Sequence, residues 1–155
     1  MTAQRELIVE VARALERMAF VISEPIDVDP VVALGQATHF ASVALTGLGA
    51  GFVVLGATPG FLLEVASGML GVDAADLAIE EYGDNTIMEL ANVLGGHAIH
   101  EGGGEDSPLR LGLPIHETRE RALELLGLAR LTGFAGVVAT DAGRLVLGGI
   151  LPQAH

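Results

Sequence analysis

Residues 88 to 96 read MELANVLGG and set a carboxylate, Glu89, three residues before a carboxamide, Asn92. A carboxylate accepts hydrogen bonds and attracts cations, whereas an amide both donates and accepts without carrying charge. Two such groups on one helix turn can engage the polar atoms of a partner. They can equally be the ordinary decoration of a solvated face. Gly95 and Gly96 follow, where a helix gains nothing from glycine.

A helix advances about 100° per residue, so its side chains can be placed on a wheel. With Ile87 at zero, Leu90, Ala91, Leu94 and Ala98 fall within roughly 60° of it and form a buried stripe. Asn85, Glu89, Asn92 and Gly96 fall at roughly 140° to 200°, on the opposite side. Glu89 and Asn92 are therefore neighbours that point away from the core. Glycine in an exposed helix interior costs roughly 1 kcal/mol against alanine. Either the backbone at Gly96 serves the close approach of another molecule, or Gly95-Gly96 is a local loosening of the helix.

The rest of the chain must position this helix. Residues 4 to 19 are expected to form an amphipathic helix, with Leu7, Val11, Leu15 and Met18 at helical spacing. Phe20 to Ile22 reads as a short strand, ended by the Pro25 and Pro30 region. Thr38 to Leu45 and Gly51 to Gly56 are apolar, β-branched-rich runs joined by TGLGAG, the pattern of a hairpin. Thr58 is a candidate N-cap with Pro59 at the first position of a helix over Phe61 to Leu70, which Gly71 ends. The motif helix should run to Ile99 or His100, and EGGGEDSP (101–108) should be a loop. LRLGLP suggests a strand and HETRERALELLGLA a helix. The last segment suggests two strands joined by a turn at Asp141-Ala142-Gly143. This order predicts one α+β domain over 1–155 with a largely antiparallel sheet.

Composition bounds the function. The chain has 155 residues and a net charge of −12. A negative surface potential disfavours nucleic acid and anionic membrane as partners. Cysteine is absent, which fits a cytoplasmic protein and excludes thiol chemistry. The charged, amphipathic N-terminus does not read as a signal peptide. No Asp, Glu, Lys or Arg occurs from Pro30 to Leu63, but the glycines and polar residues there read as buried strands and not as a membrane span.

NTIMELANVLGG, with Glu-x-x-Asn-x-x-x-Gly in a long helix, resembles the CheX/CheC/FliY phosphatases of bacterial chemotaxis. Their signature is an Asp or Ser, then Glu, then Asn, and later a Pro. Glu89, Asn92 and Gly96 match, Pro114 falls one residue early, and Asn85 stands in the Asp or Ser position. The single motif is similar to that of CheX, whereas CheC has two. The likeness covers roughly residues 4 to 115. From His116 to Ala129 the family leads one to expect strand, and the residues read as helix.

The resemblance implies a CheX-like fold and a phosphatase acting on a phosphorylated CheY-type receiver domain. Asn92 would orient the water that attacks the aspartyl phosphate, and positioning of this kind is a large share of phosphoryl-transfer catalysis. Glu89 would hold the receiver lysine through a charge-assisted hydrogen bond. Gly96 would permit close docking, and Asn85 would contact the receiver beside it. The receiver brings its own Mg²⁺, so no metal or cofactor is expected on this chain. The family pairs through its sheets, and an uncovered apolar edge favours pairing, so a homodimer is expected.

Two other readings compete. Asn85 and the segment after Pro114 are compatible with a CheX-like binding module that docks a signalling partner without catalysis. His97 and His100, with Glu101, His39 and His116, could be metal ligands, but the wheel does not align the first two, and no metal site is expected. LGATPG and EGGGED lack the pattern of a phosphate loop.

Overall fold

A computed structural model describes residues 2–47, 49–103 and 109–152. Helix α1 (Thr2–Ala19) leads into strand β1 (Glu24–Ile26) and the short helix α2 (Pro30–Leu34). The hairpin β2 (His39–Thr46) and β3 (Ala50–Ala57) follows, then α3 (Pro59–Leu70). Beyond a single 3-10 turn comes the motif helix α4 (Ile79–Gly103). The chain closes with β4 (Arg110–Leu111), β5 (Ile115–His116), α5 (Arg119–Thr132), β6 (Phe134–Ala139) and β7 (Arg144–Ile150). The strands form one sheet in the order β1-β6-β7-β3-β2-β4, with β5 also on β2, and every pairing is antiparallel.

Alternation along the strands divides the core into two layers. Ala41, Val43 and Leu45 of β2, Val53 and Leu55 of β3, and Leu145 and Leu147 of β7 face α1, α3 and α4. Phe40, Val54, Val137 and Val146 face the other way, against Ala33 and Leu34 of α2 and Ala122, Leu125 and Leu126 of α5. The uncharged stretch from Pro30 to Leu63 thus becomes a short helix, two largely buried strands and the start of α3. No helix among the described residues is long and apolar enough to cross a membrane.

Several local expectations need correction. Phe20 to Ile22 is not a strand. Phe20 ends α1 with φ of 55°, a left-handed conformation usually given to glycine, and its N–H bonds the Glu16 carbonyl. Pairing starts later, at Glu24–Ile26, on the sheet edge where Pro25 is tolerated. Helix α2 was not anticipated, although Asp29 caps it by accepting from the Val31 N–H and Pro30 opens it. Helix α4 continues to Gly103, because glycine weakens a helix without forbidding it, while 104–108 of the expected loop lie outside the described residues. Thr58 occupies an N-cap position, yet its Oγ1 accepts from the Arg144 N–H and not from the helix.

The segment from His116 to Ala129 is helical over most of its length, as its residues indicate. Thr118 caps α5 by accepting from the Arg121 N–H. Just before α5, the β4–β5 stretch forms one edge on β2. Arg110 and Leu111 pair with Thr46 and Leu45, and Ile115 and His116 pair with Ser42 and Ala41. Residues 112–114 thus oppose only 43 and 44, which makes a bulge containing Pro114. LRLGLP is therefore strand only at Arg110–Leu111.

Arg119 ties α5 to α2. Its guanidinium donates to the carbonyls of Leu34 (3.2 Å), Gly35 (2.9 Å) and Ala37 (2.9 Å), and lies 5.2 Å from the Phe40 ring centroid. Charge-assisted bonds of this kind contribute about 1.5–3 kcal/mol each where they are sheltered, and less where solvent reaches them. Arg119→Ala is expected to cost about 1–3 kcal/mol in total, lowering Tm by several degrees at this chain length. A thermal melt of the variant checks it; an unchanged Tm would show that the fork adds nothing.

Candidate functional site

Helix α4 owes its orientation to its apolar side. Ile87, Leu90, Ala91, Leu94 and Ala98 are buried against the sheet and neighbouring helices, and Thr86 is buried beside them. Two glycines let the helix lie close to β2. A Cβ at Gly83 would sit 2.5 Å from His39 Nε2. One at Gly95 would sit 2.7 Å from both Leu111 Cδ1 and Val43 Cγ1. Real Cβ atoms do not approach so closely, so a larger residue at Gly83 would displace the His39 ring, and one at Gly95 would displace the Leu111 and Val43 side chains or the helix itself.

The opposite side carries the sequence candidates. Asn85, Glu89 and Asn92 are exposed, and Gly96 is half-buried. Among the described residues, no side-chain hydrogen bond or ion pair holds Asn85, Glu89 or Asn92, so all three are free to meet a partner. Gly96 differs from Gly95, since a Cβ there would meet nothing within 4 Å. Of the two glycines, the close approach to the protein's own sheet belongs to Gly95, and Gly96 leaves open space on the outward side.

The face is acidic. Glu80, Glu81 and Asp84 are exposed in the same helix, which contains no arginine. Asp84 Oδ1 lies 3.8 Å from His39 Nε2, while His39 Nδ1 shares a 2.8 Å hydrogen bond with Thr38 Oγ1. This contact stands one residue from Asn85, and sequence reasoning missed it because His39 is distant in the chain. The side chain of His97 lies in a small apolar cleft with Leu7, Val11, Phe134 and Leu147, and that of His100 is exposed. Among the described residues no three His, Asp or Glu side chains come together as metal ligands.

The arrangement can present an amide and a carboxylate, one turn apart, from a fixed backbone. Gly95→Ala should cost about 1–2 kcal/mol, after alanine's helix preference is subtracted from the overpacking it causes. Gly96→Ala should instead gain up to about 1 kcal/mol, having room for the methyl group. Urea unfolding of the two variants should therefore shift the midpoint in opposite directions; shifts of the same sign would contradict this account of the helix.

No protein-family model and no curated protein sequence matches the chain. Solved structures do. The chemotaxis protein CheX from Vibrio vulnificus aligns with a TM-score of 0.66 at 13% identity, covering 93% of this chain and 92% of that one. A chemotactic CheC-like protein from Shewanella oneidensis aligns with a TM-score of 0.62 at 14% identity, covering 97% and 99%. CheX from Borrelia burgdorferi, in a complex with CheY, BeF3 and Mg²⁺, aligns with a TM-score of 0.60 at 15% identity, covering 95% and 96%. Identity this low speaks for the architecture alone. Along nearly its whole length, the chain has the α+β fold of the CheX and CheC-like chemotaxis proteins.

Proposed function

We propose that this chain is a phosphatase of a phosphorylated CheY-type receiver domain. The observation that carries the reading is the outward placement of Glu89 and Asn92, side by side on a helix fixed by its buried face. The fold supports it, since the Borrelia CheX of the same architecture was crystallised with CheY, BeF3 and Mg²⁺. Asn92 enters the receiver's site and holds a water in line with the aspartyl phosphate. Its uncharged amide can accept from that water without repelling the phosphoryl oxygens. Glu89 accepts from the receiver lysine, a charge-assisted bond that fixes the docking register. Asn85 extends the contact by one turn, and the open space at Gly96 lets the receiver backbone come near. Mg²⁺ and the lysine belong to the receiver, and the chain acts beside that partner in the cytoplasm. The chain's contribution is positioning, which in phosphoryl transfer is most of what remains to be supplied.

Asn85 favours a second reading, in which the chain docks a receiver without hydrolysing its phosphate. An aspartate or serine at this position belongs to the phosphatase signature, and an amide replaces it here. One assay separates the two readings. Purified phospho-receiver should lose phosphate faster with the wild-type chain. Asn92→Ala should reduce that rate about a hundredfold or more, the scale of a lost positioning group. Stability of this exposed variant should stay within about 0.5 kcal/mol of wild type. Equal rates for wild type and variant would overturn the mechanism; binding with no hydrolysis by wild type would select the docking module.

A further inference from the structure

The bulge at 112–114 leaves a large apolar side chain in solvent at the edge of the sheet. Leu113 is 86% exposed, although Leu111, two residues earlier, packs at Gly95 of α4. A solvated polar turn does not account for it, since no Asp, Glu, Lys or Arg occurs between Arg110 and Glu117. Three residues of this edge oppose two of β2, and an extra residue of this kind re-aims a side chain. Pro114 fixes its own φ and restricts the residue before it to extended backbone. Leu113 is therefore presented with little conformational freedom.

Register sets Leu113 beside the motif helix. The Gly112 N–H bonds the Ala44 carbonyl at 2.8 Å, and Ile115 pairs with Ser42, which brings Leu113 and Pro114 to the level of Val43. Val43 is the residue that α4 covers with Gly95. Adjacent strands lie about 4.8 Å apart, so Leu113 stands roughly one strand outside the line along which α4 crosses β2. Asn92 precedes Gly95 by less than one helical turn, and Gly96 follows it directly. The β4–β5 stretch is the last member of the sheet on this side.

What covers Leu113 follows from what lies next to it. Among the described residues, α4 has no large exposed apolar side chain. Its outward groups, Asn85, Glu89 and Asn92, orient a partner by hydrogen bonds and bury little apolar surface. Contacts between proteins combine such groups with apolar anchors that exclude water around them. A standard interface covers about 800 Å² on each partner, a patch roughly 30 Å across, so a molecule centred on Asn92 extends over Leu113. The exposed leucines at 123, 128 and 131 cannot serve the same contact, because they belong to α5, across the sheet from α4.

We infer that Leu113 is the apolar anchor that holds the docked receiver while Asn92 addresses its phosphate. The inference rests on the proposed docking of a receiver at α4, and it adds where affinity and partner choice reside. Glu89 and Asn92 set the register, and an apolar side chain bordering the receiver's phosphorylated aspartate takes Leu113. A receiver with a charged residue at that point would have the charge desolvated against leucine, and is rejected on that ground.

Titration of a labelled CheY-type receiver of the same organism, loaded with Mg²⁺ and BeF3, measures the contact. Leu113→Ser should raise Kd at least about fivefold over wild type. In steady-state dephosphorylation KM should rise by a similar factor with kcat within about twofold, because Leu113 stays outside the chemistry. Leu113→Met should bind within about twofold of wild type, being apolar and of similar volume. Leu131→Ser, at a comparably exposed site on α5, should leave Kd unchanged. Circular dichroism reports whether each variant is folded, and Leu113→Ala replaces the serine variant if that one is not. Equal Kd for wild type and the folded variant overturns the inference and leaves the phosphatase reading standing. So does an equal loss in Leu131→Ser. A wild type that neither binds nor dephosphorylates the receiver overturns both.

Discussion

The short distance between α4 and β2 is the constraint on which the outward site depends. It exists because side chains are missing at two points, Gly83 over His39 and Gly95 over Val43 and Leu111. Between those points the helix buries Ile87, Leu90, Ala91 and Leu94. The buried stripe fixes which side of the helix faces the sheet. Its far side must then present Asn85, Glu89 and Asn92 to solvent, whatever those residues do there.

Strand β2 gathers most of what fixes the helix. Its residues alternate between layers, Ala41, Val43 and Leu45 toward α4 and Phe40 toward α2 and α5. Phe40 lies beneath Arg119, whose fork closes the end of α2. Ser42 donates to Glu117 Oε2 at 2.5 Å, just before α5 begins. The edge stretch containing Pro114 pairs with the same strand and places Leu111 against Gly95. Layers that contact different helices are therefore coupled through one strand, since a closely packed interior transmits displacement.

The sequence made some of this readable and hid the rest for identifiable reasons. The two faces of α4 followed from helical periodicity, since Ile87, Leu90, Ala91, Leu94 and Ala98 leave little doubt about which side is buried. The hairpin and the final strand pair were equally plain from alternation and turn residues. The helix at Arg119–Thr132 was legible from its own residues even though the family resemblance led toward strand. The packing role of Gly95 was not legible, because it depends on Val43 and Leu111, which only tertiary structure brings near. The bulge at 112–114 depends on register with β2 in the same way. Phe20 misled because a left-handed residue at a helix end is normally announced by glycine. The placement of Asn85, Glu89 and Asn92 was thus within reach of sequence, but not the His39–Asp84 contact beside them.

The regular backbone of α4 has a thermodynamic consequence for whatever docks there. Ordering a flexible residue costs roughly 1–2 kcal/mol of backbone entropy, and a loop presenting the same groups would lose that on every encounter. Residues 85–92 lie inside a helix already ordered by the core, so only side-chain rotations remain to be frozen. Asn has two rotatable side-chain bonds and Glu three, so the remaining ordering cost falls mainly on Glu89. More of the contact energy is then left as net affinity, and a small polar face can recognise a partner without an extensive interface.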